Sequence, residues 1–263
     1  MATVPIITLL TDFGTADAYV GIMKGVILGI CPAARLVDLT HDLPPQGIIP
    51  GALVLRNAVP FFPAGTTHLA VVDPGVGSGR DPIAIVTERG VLVGPDNGLL
   101  HPAALAMGVR EVRRLERTDL FRQPVSHTFH GRDVFAPVAA HLATGLPPHE
   151  LGSLLPAPRA LPLAEPRCGS GRVSGEVIYV DRFGNLITNI AAGAMAGFST
   201  RNVSVSIAGV PVVPIVTAYA AVPEGSLLAI IGSWGLIEVA VRSGNAAQRL
   251  AATTGTVVTV TAE

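Results

Sequence analysis

Cysteine is scarce in this chain of 263 residues: Cys31 and Cys168 are the only two, too few for a disulfide framework and without the paired spacing of a zinc site. Charge is scarce as well. Charged residues make up 14%, and the 18 Lys and Arg against 19 Asp and Glu leave a net charge of −1. No basic excess exists to drive non-specific nucleic-acid binding. Lys24 is the one lysine among the cations. Long apolar runs are also missing. Although the mean hydropathy is +0.52, Asp, Arg, Gly or Pro interrupts every stretch before about 18 apolar residues accumulate, so no membrane-spanning helix is expected. The N-terminal MATVPIITLLTDFG has no basic residue before its apolar run and meets Asp12 early, so it reads as a strand and not as a signal peptide. These absences lead us to expect a cytoplasmic protein in a reducing setting, with no membrane or nucleic-acid partner.

What is present is a hydrophobic chain, 49% by count, which excludes disorder and suffices for one large or two modest cores. Residues 4–11 form a continuous apolar run, as in a strand covered on both faces. Helical spacing follows over 17–31, a strand over 35–39, and a helix over 48–59 that stops at Pro60. Short buried strands are expected at 68–72, 83–87 and 91–93, with helices from Asn97 as cap through Met107 and over 134–143. This alternation predicts an α/β domain over 1–160. Residues 153–172 carry four prolines and read as a linker. Beyond them, short β-type runs at 175–180, 203–207, 210–216, 227–231, 236–241 and 256–261, with one helix at 245–252, predict a smaller, mostly-β, barrel-like domain over 173–263.

Polar and glycine-rich segments follow the buried strands, where open α/β sheets place ligands. They are TDFGTADAY (11–19), DLTHDLPP (38–45), VVDPGVGSGR (71–80), GPDNGLL (94–100) and TFHGRDVFAP (128–137). The second domain adds DRFGNLITN (181–189) and GSWGLIEVAVRSGNAA (232–247). On residue chemistry alone, Asp12, Asp38, His41, Asp42, Asp73, Asp96, His130 and Asp133 supply hard oxygen and imidazole ligands for a metal-dependent hydrolase. Yet no pair has a diagnostic spacing such as HExxH, and aspartates at strand ends also serve as turn and cap residues. By the same chemistry Asp73 before Pro74-Gly75 is a turn residue, Arg80 a surface charge, His130 a structural histidine, Asp12 a helix-entry cap and DRFGN a hairpin turn. DPGVGSGR is neither a P-loop nor a dinucleotide fingerprint, since no Lys-Ser/Thr follows and no helix-opening GxGxxG is formed.

Taken together and in order, TDFGTADAYVG, DLTHDLPP, VVDPGVGSGR, GPDNGLL, TFHGRDVFAP and DRFGNLITN closely resemble the adenosine-forming S-adenosylmethionine (SAM) hydrolases, also called SAM hydroxide adenosyltransferases, relatives of fluorinase and chlorinase. The resemblance runs from about residue 5 to the C-terminus. It implies an α/β domain followed by a β-barrel-like domain, and a homotrimer with each active site at a subunit interface. No metal or cofactor is implied, SAM being the substrate. The implied reaction is attack of water or hydroxide on the ribose C5′, releasing adenosine and methionine.

Carried onto this sequence, the resemblance makes Asp73, Arg80 and His130 the catalytic trio. Arg80 would favour hydroxide, His130 accept or shuttle the proton, and Asp73 orient Arg80. Asp12 would hold the ribose diol through two hydroxyl hydrogen bonds. Phe183 would stack on adenine, Asn185 read its edge, and Asp181 pair with the methionine ammonium. Ser233 would contact the methionine carboxylate, with Asn245 and Ala247 near adenine, while the role of Trp234 stays open. His41, Asp96, Asn97, Arg132 and Asp133 take supporting duties, and His101 and His127 none. The halogenating relatives carry Tyr at the position of Asp73 and Tyr-Ser in place of His130-Gly131, together with an inserted loop. That disfavours halogenation here, and the intact trio disfavours a SAM or adenosine binder without turnover.

Overall fold

The computed structural model describes residues 4–196, 198, 203–212 and 215–262, in two compact units, Met1–Pro162 and Leu163–Glu263. In the first unit, strand and helix alternate as β1 (Ile6–Thr11), α1 (Tyr19–Ile30), β2 (Arg35–Thr40), α2 (Ile48–Ala58), β3 (Thr66–Val71), β4 (Pro82–Thr87), β5 (Gly90–Pro95) and α3 (His101–Met107). β6 (Val109–Arg114), α4 (Ala136–Ala143) and β7 (Leu154–Leu155) complete it. The seven strands form one mixed sheet in the order β2-β1-β3-β5-β4-β6-β7, parallel from β2 to β5 and antiparallel beyond.

Successive side chains of β3 feed two cores, as a strand covered on both faces requires. Leu69 and Val71 join Ile7, Leu9, Met23 and Ile27 under α1 and α4, while Ala70 and Val72 join Leu10, Leu55 and Ala103 under α2 and α3. The strands are thereby fixed in register, so the loops leaving their C-terminal ends have defined origins. β1 and β3 are parallel neighbours, so Asp12 and Asp73, which follow them, emerge at the same end of the sheet.

The second unit contains β8 (Arg167–Gly169), β9 (Arg172–Val180), β10 (Leu186–Ala191), β11 (Val203–Ile207), β12 (Val210–Val212), β13 (Ile215–Val216), β14 (Leu227–Ile231), β15 (Leu236–Val241), α5 (Ala246–Leu250) and β16 (Val257–Ala262). They form a nine-stranded sheet ordered β12-β11-β16-β9-β10-β15-β14-β13, with β8 paired to β9 and only β13–β14 parallel. The sheet curls around Val177, Leu186, Ile190, Val205, Ile237, Val239 and Val260. The chain is therefore a two-domain protein with mixed sheets, helical layers in the first part and a curled sheet in the second.

Several sequence expectations need correction. Asn97 does not cap a helix: its Oδ1 accepts the Leu99 N–H at 3.1 Å and its Nδ2 donates to the Val72 carbonyl at 2.8 Å, and α3 begins only at His101. The helix expected from Val134 is preceded by a single π-turn over Gly131–Phe135. The stretch 153–172 is not a bare linker, because β7 and β8 lie within it and pair with β6 and β9. β6 and β10 were not anticipated. Arginines hide the alternation of VREVRR, and in LITNIA the buried Thr188 satisfies its hydroxyl on the Ile237 carbonyl. Within the run expected at 210–216, positions 213 and 214 lie outside the described residues.

The parallel part of the sheet contains a buried imidazole. His68 on β3 is 1% exposed, shares a hydrogen bond with Thr8 Oγ1 through Nδ1 at 2.9 Å and meets the edge of Phe62. Burial lowers its pKa to about 4, so the folded protein holds it neutral where an unfolded chain would protonate it. Stability from this site is full above the unfolded value of about 6.5 and is lost as pH falls from there toward 4. We expect a loss of about 2 kcal/mol between pH 7 and pH 5 from this residue. Urea unfolding at the two pH values measures it, and His68→Gln should remove that part of the pH dependence.

Candidate active site

The loop DPGVGSGR leaves β3 and returns to β4, held by two tight turns in which the Val76 and Ser78 N–H groups donate to the Asp73 and Gly75 carbonyls. Gly77, at φ +75°, lets the loop approach the next segment closely, since a Cβ there would lie 2.6 Å from the His127 carbonyl oxygen. This contact brings Arg80 and His130 together. Arg80 Nε donates to Asp73 Oδ1 at 2.9 Å, and Nη2 donates both to Asp73 Oδ2 and to His130 Nδ1, the latter at 2.8 Å. The guanidinium lies over the Phe135 ring, 5.1 Å from its centroid. The Asp73 and Arg80 side chains are only 5% and 8% exposed, so this ion pair is largely withdrawn from water.

An arginine nitrogen can only donate, so His130 Nδ1 is the acceptor and the neutral ring carries its proton on Nε2. Burial, and then the Arg80 charge, lower the His130 pKa, with partial opposition from Asp73 and Asp133. The ring is placed by the π-turn that follows it. Buried Asp133 accepts from Arg132 Nε and Nη2 at 2.6 and 2.7 Å and from the Ser126 N–H at 2.9 Å. Arg132 also covers Phe129, 5.2 Å from the ring centroid.

Asp12 does not cap α1; its Oδ2 accepts the Gln46 N–H at 2.7 Å, leaving Oδ1 for other donors. Gln46 adopts φ +62°, a left-handed backbone unusual for a residue with a side chain, so the DLPPQG loop is held in a strained shape beside Asp12. The TDFG turn is tied to β2 through Gly14 N–H to the His41 carbonyl (2.8 Å) and Thr11 Oγ1 to His41 Nδ1 (2.8 Å). His41 Nε2 lies 3.0 Å from Asp38 Oδ1 but off the line of a good hydrogen bond, and Asp38 is paired to Lys24 at 2.6 Å. Asp96 accepts the Arg159 N–H. The acidic and histidine residues that read as metal ligands are thus distributed among separate pairings, and among the described residues no three His, Cys, Asp or Glu converge on one point.

In the second unit, DRFGN is a hairpin turn organised by Asp181. Its Oδ1 accepts the Phe183 and Asn185 N–H groups and its Oδ2 accepts Asn185 Nδ2, each at 2.8 Å. The turn presents Phe183 73% exposed while burying Asn185. α5 clamps the turn from behind: Ala247 N–H donates to the Gly184 carbonyl, and Gly184 is bare because a Cβ would overlap the Asn245 side chain. Asn245 itself caps α5 by accepting the Gln248 N–H at 2.8 Å.

In front of the turn is a cavity of about 760 Å³ whose walls include Asp181, Phe183, Asn185, Ser233 and Trp234. Asn245 and Ala247 support the turn without lining that cavity. Trp234 stacks on Tyr179 with centroids 5.3 Å apart. The structure thus groups Asp73, Arg80 and His130 in one cluster, and Asp181, Phe183, Asn185 and Ser233 around one cavity. Sequence reading missed Gln46 and Phe135, and also Tyr179, Tyr219 and Glu238, which line the same cavity. Of these only Glu238 left a signal, as the one charge in the apolar run LIEVAV.

Strand-end loops carrying a desolvated Asp–Arg–His cluster, followed by a curled β domain with an aromatic cavity, define a two-domain enzyme class. The SAM hydroxide adenosyltransferase N-terminal domain matches residues 7–152 and the C-terminal domain of the same family matches 175–259. The chain belongs to the SAM hydroxide adenosyltransferase family. It is 44% identical, over 100% of both chains, to a protein of Salinispora arenicola named (R)-S-adenosyl-L-methionine hydrolase. A fluorinase of an Actinoplanes species is 29% identical over 71% of this chain and 72% of its own. A crystal structure of an uncharacterized conserved protein from Thermotoga maritima superposes with a TM-score of 0.90 at 38% identity, covering 97% of this chain and 99% of that one.

Proposed function

We propose that this protein hydrolyses S-adenosyl-L-methionine to adenosine and L-methionine. The observation that carries this is the Asp73–Arg80–His130 cluster, set on strand-end loops in a chain that matches a SAM hydrolase along its whole length. Water oxygen bonds to C5′, the C5′–S pair leaves with sulfur, and the proton lost by the water passes to solvent. The departing thioether is neutral and needs no acid, so assistance belongs on the nucleophile.

Arg80 uses Nε and Nη2 on Asp73 and His130, and Nη1 remains to face the attacking oxygen as a donor that favours hydroxide. His130 acts differently from the simplest expectation. With Nδ1 occupied by Arg80 and the proton on Nε2, the neutral ring holds the guanidinium in place and donates outward, and does not take the proton in this arrangement. Asp12 receives the ribose hydroxyls on the oxygen positions that Gln46 leaves open. Phe183 stacks on adenine, Asn185 reads its edge with Oδ1 and its second N–H, and the cavity at Asp181 and Ser233 takes the amino-acid end. Asn245 and Ala247 hold the adenine-side turn. The finer architecture follows the same reading: an α/β domain that supplies the nucleophile and a barrel-like domain that supplies adenine and methionine contacts. The protein works in the cytoplasm without metal or cofactor, as a homotrimer in which a neighbouring subunit completes each site.

Incubation with SAM should yield adenosine and methionine in equal amounts by chromatography, with the rate unchanged after EDTA treatment and desalting. Loss of activity restored by Mg²⁺, Mn²⁺ or Zn²⁺ would return the metal-dependent reading. Light scattering at assay concentration should give three times the 27.0 kDa chain mass, and a fully active monomer would contradict the shared sites. Arg80→Ala should lower kcat on the order of 10²-fold or more with little change in SAM affinity. Asp12→Ala should act mainly on KM. Calorimetry with single-turnover kinetics separates the two, and weakened SAM binding with normal chemistry in Arg80→Ala would make Arg80 a binding residue.

A further inference from the structure

Glu238 has no part in the reading above, yet it lines the cavity of the second unit. It is 7% exposed, inside the strand β15. Sheet register sets Tyr179 opposite Ile187 and Ile187 opposite Glu238 across β9, β10 and β15, and all three side chains line the cavity. An irregularity in the β9–β10 register makes this possible, shifting Tyr179 out of phase with the core residue Val177.

Tyr219 Oη donates to Glu238 Oε1 at 2.6 Å. Among the described residues Oε2 accepts no hydrogen bond. It lies against the Gly232 turn, where an added Cβ would come within 2.7 Å of it. Oε2 is not sealed in the sheet but opens to the cavity, where a ligand's donor can reach it.

The other charges at the cavity do not satisfy it. Arg242 Nη1 donates to the Val222 and Ala220 carbonyls at 2.6 and 3.4 Å, Arg182 sits on the exposed turn, and Asp181 repels it. Burial pushes the Glu238 carboxyl up, the Tyr219 hydrogen bond pulls it back, and the Asp181 charge pushes it up again. A cation with N–H donors entering the cavity relieves both the repulsion and the open oxygen. A sulfonium has no N–H to offer, whereas an α-ammonium has three.

Resting on the reading that this cavity takes the amino-acid end of SAM, we propose that Glu238 Oε2 receives the substrate's α-ammonium, with Asp181 as the second carboxylate and Tyr219 fixing the Glu238 rotamer. Asp181 alone has little left to give, since three of its lone-pair positions already hold the hairpin. Glu238 is then the residue that selects an amino-acid-bearing nucleoside over a simple one.

The test is Glu238→Gln, an isosteric change, measured with SAM, with adenosine and with the SAM analogue lacking the amino group. KM for SAM should rise on the order of 10- to 100-fold with kcat nearly unchanged. Binding of adenosine and of the des-amino analogue should be the same in wild type and variant. An unchanged KM for SAM overturns the proposal, and so does a loss of adenosine or des-amino binding as large as the loss for SAM. If circular dichroism shows Glu238→Gln unfolded, Tyr219→Phe carries the test: a smaller KM rise confined to SAM supports the assignment, and unchanged or non-selective binding overturns it. Failure of the wild-type protein to release adenosine from SAM would instead remove the functional reading itself.

Discussion

A buried arginine fork organises the candidate site of the first unit. Two nearly desolvated charges, Asp73 and Arg80, cost several kcal/mol each to withdraw from water. The cost is offset only because the guanidinium meets the carboxylate through two nitrogens and spends a further hydrogen on His130. Such a pair is weak as a source of stability and strong as a fixed electrostatic fixture. Removing either member leaves the other as an uncompensated buried charge, so the loop, the histidine tautomer and the remaining free nitrogen Nη1 all depend on it. The packing around it serves that dependence. Gly77 brings the loop onto His127, Phe135 roofs the guanidinium, and Asp133 braces the π-turn behind His130.

The second unit shows a different solution to the same problem of holding polar groups in place. Asp181 organises its hairpin by accepting three N–H groups, and that preorganisation presents Phe183 to solvent and leaves Asn185 buried but open at Oδ1. On the proposed reading, the exposed ring of Phe183 is the face offered to adenine. Two turns, one centred on a carboxylate and one on an ion pair, are therefore each held by their own internal hydrogen bonds, so that little reorganisation would remain when a ligand enters.

The sequence carried most of the strand and helix alternation of the first unit because β1 and β3 are buried on both faces and read as apolar runs. Ordered motifs carried the cluster residues, since Asp73, Arg80 and His130 lie in loops whose composition is set by turns and chemistry together. Pairings across long separations were not legible. Nothing in TDFG announces that Gln46 donates to Asp12, 34 residues away, and nothing near Arg80 names Phe135 as its platform. Asn97 misled because an Asx turn and a helix cap share the same side-chain chemistry. β6 and β10 were hidden because arginines and satisfied threonine and asparagine side chains replaced the apolar alternation that marks a strand.

On the proposed mechanism, the same cluster suits water better than a halide. A halide must shed its hydration into neutral donors and apolar walls before it attacks, and the carboxylate of Asp73 repels any anion brought beside it. The Asp73–Arg80 pair is neutral overall, and what it offers the nucleophile on the proposed reading is the N–H dipole of Nη1. That donor suits a neutral water that becomes negative as it loses its proton. Nη1 then stabilises a hydroxide-like nucleophile more than the resting water, which raises the rate without merely tightening ground-state binding. His130 fits this division: as a neutral ring that accepts from Arg80, it fixes direction without adding charge. Burial and the Arg80 charge lower its pKa, which favours that neutral form.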